Sequence, residues 1–236
     1  MVDLHCHILP AMDDGAADLA EAVEMARIAA ADGIISIVAT PHVNEVLHPP
    51  EEVRNRVGAL NQKLWMEGVL VRVFPGADVN VLAAPLVTAG HTVNGRGYLL
   101  TEFPHSHLPW NARDTLVALG ERGLRPIITH PERNPSVVRE PGLLLALLDT
   151  GALVQITADS LTGGFGDEAR KCAKYLLRKR AVHFIASDAH SAQRRRPVLS
   201  PAIAVAAKIL GPREALRLVT LNPAAVLLGK PLAAPL

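Results

Sequence analysis

The chain has 236 residues, a net charge of +1 and a hydrophobic content of 49%, which allows one large core and gives no global pull toward nucleic acid or an anionic membrane. No apolar run approaches the ~20 residues of a membrane span, and the start lacks the basic-then-apolar pattern of a secretory signal. Two cysteines cannot frame a disulfide-bonded domain, so the expected setting is the cytoplasm, with reduced thiols.

Taken in order, the chain opens with Val2-Asp3-Leu4-His5-Cys6-His7. Apolar and polar residues alternate here with the period of a strand. His5 and His7 then share a face, about 6–7 Å apart along the backbone, and Cys6 points the other way into the core. Asp13-Asp14-Gly15 follows in a loop. A helix is expected over 16–32, capped by Asp18 and closed by Gly33. The β-branched run 34–39 reads as a buried parallel strand and ends in Thr40-Pro41-His42. A helix over 50–66 and a strand over 69–74 lead to Pro75-Gly76-Ala77-Asp78, and 79–94 is irregular. Strands are then expected at 98–101, 125–129, 153–157 and 182–186, separated by helices at 111–122, 142–149 and 167–180. Glu102, His130 and Ser187-Asp188-Ala189-His190 follow three of these strands. Helices at about 201–210, 212–219 and 223–228 finish the chain.

Some seven strand–helix units imply an α/β fold with a parallel sheet under helices. Their number favours a closed TIM-like barrel, a single domain over 1–236. An open doubly wound sheet is the alternative, but no Gly-rich phosphate loop follows the first strand.

In such a barrel the C-terminal strand ends converge on one face. His5, His7, Asp14, His42, Asp78, Glu102, His130, Asp188 and His190 would meet there. Each alone could be a cap, an ion-pair partner or a core histidine; their common placement argues for metal. Five imidazoles and four carboxylates suit two or three divalent ions of the Zn, Mn or Fe kind, whereas Mg²⁺ and Ca²⁺ favour oxygen ligands. Cys172 to Arg178 matches the bare C-x5-R pattern of cysteine-dependent tyrosine phosphatases. No glycine lies between the two, and inside a helix the intervening N–H groups are already used, so this match is set aside.

Asp3-Leu4-His5-Cys6-His7 resembles the opening D-x-H-x-H motif of the polymerase-and-histidinol-phosphatase (PHP) superfamily. Thr40-Pro41-His42, Gly76-Ala77-Asp78, His130 and Ser187-Asp188-Ala189-His190 fit its later motifs in order. The segment His7-Ile8-Leu9 to Asp13-Asp14-Gly15, Thr101-Glu102-Phe103, His130-Pro131-Glu132-Arg133, Arg194-Arg195-Arg196-Pro197 and Leu221-Asn222-Pro223 are most similar to the bacterial manganese-dependent protein-tyrosine phosphatases of capsule and exopolysaccharide operons. The resemblance implies a distorted (β/α)7 barrel, the PHP fold, with a centre of two or three divalent ions, manganese first, iron or zinc as alternatives. One ion would take His5, His7, Glu102 and Asp188; a second Asp78, Glu102 and His130; a third Asp14, His42 and His190. Asp78 stands where these phosphatases usually carry Glu. Arg133 and Arg195, or Arg196 in place of the latter, would bind phosphate, and Asp3 would orient a ligand.

The implied activity is metal-dependent phosphoric monoester hydrolysis on phosphotyrosine in protein, with the C-terminal tail of a tyrosine autokinase of polysaccharide export as the implied partner. Alternatives are a histidinol-phosphate or nucleotide and nucleic-acid phosphoesterase, and an inactive metal-binding regulatory module. Nucleic acid is not expected as a partner, since aromatic residues make up only 3% of the chain and offer little stacking surface. His105 and His107 are candidate acids for the leaving group. His48, His91 and His183 are given no role.

Overall fold

Parallel pairing passes from strand to strand until it returns to its start. The computed structural model describes residues 1–44 and 47–232; residues 45–46 and 233–236 of the expected 1–236 unit lie outside the described residues. Its strands are β1 (Val2–Cys6), β2 (Ser36–Ala39), β3 (His42–Val43), β4 (Arg72–Pro75), β5 (Asp78–Asn80), β6 (Tyr98–Glu102), β7 (Arg125–Thr129), β8 (Leu153–Thr157) and β9 (Phe184–Ala186). One sheet runs β1-β2-β4 and the other β3-β5-β6-β7-β8-β9. β3 continues the line of β2, and β5 that of β4, so these nine strands fill seven positions. A parallel bridge between Cys6 and Ala189 joins the last position to β1, supported by Asp188 N–H donating to His5 C=O and His7 N–H to Ala189 C=O, both at 2.8 Å. The circuit is closed.

The two interrupted strands break for local reasons. Pro41 has no N–H to give a ladder. At this break the Thr40 hydroxyl accepts from Cys6 N–H at 3.1 Å, and Thr40 N–H donates to Cys6 C=O at 3.0 Å. Between β4 and β5, Gly76 passes so close to β2 that a Cβ would lie 2.7 Å from Val38 Cγ1.

The helices are α1 (Leu19–Ala31), α2 (Pro50–Met66), α3 (Ala112–Glu121), α4 (Pro135–Arg139), α5 (Gly142–Leu145), α6 (Ala158–Thr162), α7 (Gly166–Arg178), α8 (Ser200–Leu210), α9 (Pro212–Arg217) and α10 (Leu221–Leu227). Asp18 caps α1 as expected, accepting from Glu21 N–H at 2.9 Å. The single helix expected over 142–149 is instead the pair α4 and α5 with a 3-10 turn at Leu148–Thr150. Asn134, whose side chain accepts from Ser136 N–H, starts the pair early, and Pro135 sits at the tolerated first position. The stretch 79–94 holds β5 and three 3-10 turns. No helix among the described residues is long and apolar enough to cross a membrane.

Two main apolar layers result. Val2, Leu4, Val38, Tyr98, Leu100, Ile127 and Phe184 pack together with Val226 and Leu227. These residues come from strands on opposite sides of the circuit, so they fill its inside, and α10 stops its lower end. Cys6, Ile37, Val154, Ile156 and Ile185 pack outward with helix residues such as Ala26, Leu60 and Leu176. Val2 and Leu4 therefore do not share a face with Cys6, contrary to the simple alternation. The register of β1 against β2 shifts between Asp3 and Cys6, and such a bulge turns the side chains beyond it.

Candidate metal centre

The upper ends of the strands carry the candidate ligands, above the apolar layer that fills the inside of the circuit. Beyond the bulge in β1, the His5 and His7 rings converge until their Nε2 atoms are 3.1 Å apart. Their far nitrogens are anchored. His5 Nδ1 is 2.9 Å from Gln155 Oε1, and His7 Nδ1 is 2.6 Å from Asp13 Oδ2. Each anchor turns Nε2 toward the centre of the barrel. Asp188 Oδ1 lies 3.3 Å from His5 Nε2 and 3.5 Å from His7 Nε2, and Asp78 Oδ2 lies 3.5 Å from His5 Nε2.

Toward solvent, His42 Nε2 and His190 Nε2 approach the same oxygen, Asp14 Oδ1, at 3.5 and 3.4 Å. His42 Nδ1 faces Asp78 Oδ2 at 3.6 Å and Glu102 Oε2 at 3.8 Å. On the other side of Glu102, Oε1 stands 3.2 Å from His130 Nε2. All nine residues singled out in the sequence thus lie in one cluster. Three sets have donor atoms within 4.8 Å of one another: His7, Asp14, His42 and His190; His5, His7 and Asp188; and His42, Asp78 and Glu102.

Gly15 holds the Asp13–Asp14 loop in place. A Cβ there would lie 2.0 Å from His7 C=O, so only glycine allows the loop to fold back on β1. His130 and Asp188 both sit in the left-handed region, at φ 36° and 52°. Strained non-glycine backbone of this kind is tolerated where surrounding contacts fix it.

The electrostatics are those of charges crowded out of water. Burial favours the neutral form of Asp188, but His5, His7, His130 and Arg133 overrule it and hold the carboxyl well below the usual range. Burial likewise works against a charged His7, but hydrogen bonds and charge from Asp13 and Asp188 raise it to about 10. Glu102 is pulled down to about 2 against its burial, first by His130. Asp78 lies well above its ordinary value because of burial and then Glu102. Despite this crowding, His42 Nδ1, Asp78 Oδ2 and Glu102 Oε1 are buried with no hydrogen-bond partner. Each such atom costs about 1–3 kcal/mol when unmet. A divalent cation bound by imidazole and carboxylate would meet all three, so the donor set fits metal.

Beside the cluster, Arg133 Nη1 donates to Asp188 Oδ2, and Arg195 Nη2 pairs with the same oxygen. Both guanidinium groups lie over the Phe165 ring, at 4.4 and 5.5 Å from its centroid. Arg196 points elsewhere, lining a surface hollow with Glu24 and Arg27. Asp3 is buried behind the cluster and accepts from Ser187 N–H at 2.9 Å and from its hydroxyl. His105 is exposed, with Nε2 3.5 Å from Glu102 Oε1, and its ring stacks on that of His130. His107 turns to Ser106. Cys172 lies buried inside α7, and burial lifts its thiol to about 12.

Sequence reasoning assigned no role to Asp13, Gln155 or Phe165. Gln155 had a signal: it is a polar residue in the middle of an apolar strand run. Asp13 was masked by its neighbour Asp14, and Phe165 lies in a loop without periodicity.

Residues 1–228 match the family model for capsular polysaccharide synthesis, CpsB/CapC. The tyrosine-protein phosphatase YwqE of Bacillus subtilis is 39% identical over 217 residues, 89% of this chain and 85% of that protein. The putative tyrosine-protein phosphatase CapC of Staphylococcus aureus is 35% identical over 83% of this chain and 79% of its own length. A crystal structure from work on YwqE of Bacillus subtilis and CpsB of Streptococcus pneumoniae, described as metal-dependent tyrosine phosphatases, superposes with a TM-score of 0.91 at 37% identity, covering 99% of this chain and 96% of that one.

Proposed function

This chain belongs to the CpsB/CapC family of capsular polysaccharide synthesis, and from that premise we propose that it is a metal-dependent protein-tyrosine phosphatase. The observation that carries the reading is the buried cluster with unmet atoms on His42, Asp78 and Glu102, set directly beside two arginines. The proposed ligands are His5, His7, Asp14, His42, Asp78, Glu102, His130, Asp188 and His190, holding two or three ions, with manganese the first candidate. The proposed substrate is a phosphotyrosyl protein, a tyrosine kinase of polysaccharide export, met in the cytoplasm by the whole chain acting as one domain.

When bound, divalent ions polarise the phosphoryl group and make a water nucleophilic at neutral pH. The chain does the rest. Gln155 and Asp13 fix the His5 and His7 rings with Nε2 forward, so no reorientation is needed when substrate arrives. Arg133 and Arg195 present planar, permanently charged forks to the phosphoryl oxygens, where charge builds up during transfer. Phe165 packs against both forks through its ring. The leaving phenol has a pKa of about 10 and departs without a strong proton donor; exposed His105 stands beside Glu102 at the cluster edge.

The test is a side-by-side assay on a phosphotyrosyl peptide, histidinol phosphate and a single-stranded oligonucleotide, with and without Mn²⁺. Metal-dependent turnover of the peptide ahead of the other two is expected, with Cys172→Ser retaining activity. Faster turnover of histidinol phosphate, or loss of activity in a folded Cys172→Ser protein, would overturn the reading.

A further inference from the structure

Asp13 belongs to none of the three donor sets of the metal cluster, yet its carboxylate gathers three groups from two parts of the chain. Oδ2 accepts from His7 Nδ1 at 2.6 Å and from His42 N–H at 3.1 Å. Oδ1 accepts from Gly15 N–H at 3.0 Å. The side chain is only 7% exposed, so little water competes for these bonds. The loop that carries it is closed at its base, where Ala16 N–H donates to His7 C=O at 3.0 Å and Ala11 N–H to Ala16 C=O at 2.8 Å. Asp13 therefore ties a shaped loop after β1 to the start of β3.

These contacts converge on one donor set. His7, Asp14, His42 and His190 form the set nearest solvent. Asp13 reaches His7 through its ring, His42 through its backbone, and Asp14 through the turn that Gly15 N–H closes. This set also has the most to gain from such support. The Asp14 side chain is 66% exposed and that of His42 20%, whereas His5, His7 and Asp188 are at most 3% exposed. An exposed side chain keeps rotamer freedom that a bound ion must remove, and fixing the backbone beneath it lowers that cost. The inner set of His5, His7 and Asp188 has supports of its own: Gln155 on His5, and Arg133 and Arg195 on Asp188. Resting on the metal reading above, we propose that Asp13 is a positioning residue for the solvent-side ion, clamping together the two chain segments that supply its ligands.

An isosteric amide separates this role from the anchoring of His7. Asparagine offers one acceptor oxygen where aspartate offers two. With that oxygen toward His7 and His42, the amide NH2 faces Gly15 N–H and the turn under Asp14 loosens. With the amide reversed, two donors face it instead of one. The first arrangement costs less, and it spares His7. Asp13→Asn therefore withdraws support from the solvent-side set while the inner set keeps its geometry.

The experiment titrates metal-free full-length protein with Mn²⁺ and reads the free ion by its EPR signal, for the parent, Asp13→Asn, Asp14→Asn and the double variant. Asp14→Asn removes a ligand outright and so marks which class of site is the solvent-side one. Asp13→Asn is expected to weaken that same class about 10–100-fold and to leave the others within about threefold of the parent. The double variant should bind at that class about as weakly as Asp14→Asn alone, since both changes act through one ion. Unchanged far-UV circular dichroism of the metal-free proteins shows that each folds, and the Asp14→Asn pair with the double variant tests the coupling even if Asp13→Asn alone folds poorly. Mn²⁺ binding by Asp13→Asn within threefold of the parent in every class overturns the proposal. So does an equal loss in all classes, a loss in a class other than the one Asp14→Asn marks, fully additive effects in the double variant, or an Asp14→Asn protein in which no class weakens. A parent chain that takes up neither Mn²⁺ nor Zn²⁺ overturns the metal reading first and this assignment with it.

Discussion

The two ends of the barrel bury the same kinds of groups and treat them in opposite ways. At the lower end, Arg217 donates from Nε to Asn222 Oδ1 at 3.1 Å, and Asn222 Nδ2 donates to His183 C=O at 2.8 Å. His183 Nδ1 accepts from Val154 N–H at 3.0 Å. Arg217 also faces Glu214. At the upper end, imidazoles and carboxylates face one another with three buried atoms unmet. A satisfied polar cluster specifies how elements dock. An unsatisfied one is kept only where something else completes it. Histidine and arginine content alone does not tell the two apart; the hydrogen-bond inventory does.

Four experiments press on that contrast. The largest effect is expected from Asp188→Asn, which removes the carboxylate from the set of His5, His7 and Asp188 and loosens Arg133 and Arg195 at once. Turnover of a phosphotyrosyl peptide should fall by roughly three orders of magnitude or more, with far-UV circular dichroism unchanged. Activity within tenfold of the parent would place the chemistry elsewhere. Next is metal removal. Mn²⁺ at about a hundred times its Kd should stabilise the fold by ~2.7 kcal/mol, or about 5–10 °C in Tm, relative to chelated protein. Asn222→Ala should keep that increment, whereas Asp188→Asn should lose most of it.

The third lies at the lower end. Asn222→Ala removes a partner from Arg217 and from His183 C=O, and should lower stability by about 2 kcal/mol, read as a denaturation midpoint, with specific activity preserved. A drop in specific activity would mean the ends are coupled. The smallest concerns pH. Burial, and then Arg217, lower His183 to about 4, below the 6.5 of a free imidazole. The unfolded chain therefore takes up the proton first, and this contribution is full above pH 6.5 and lost as pH falls toward 4. His183→Gln should flatten the fall in Tm over that window; parallel curves would show that His183 does not titrate as its burial implies.

Much of this architecture was legible in the chain, because each parallel strand is buried on both faces and announces itself as a β-branched or apolar run. The ligand set was legible for a related reason. Residues such as His42, Asp78 and Glu102 stand at or just beyond strand ends, where a barrel must bring them together. What escaped has identifiable causes. The bulge in β1 cannot be seen in an alternating pattern that looks unbroken from Val2 to His7. Asn134–Pro135 is a helix start signal seven residues before the helix expected over 142–149. Gln155 and Phe165 act through contacts with residues far off in sequence, and no local period marks such contacts.

The bridge between Cys6 and Ala189 has a consequence for how the protein is made. β1 leaves the ribosome before the other eight described strands, yet its second neighbour is encoded about 180 residues later. At about 5–20 residues per second, that gap lasts roughly 10–40 s. Through that interval β1 offers an open, largely apolar edge, and His5 and His7 lack Asp188. The interval is a window for chaperone capture or for pairing with another nascent chain, and the cluster of His5, His7 and Asp188 assembles only after it closes.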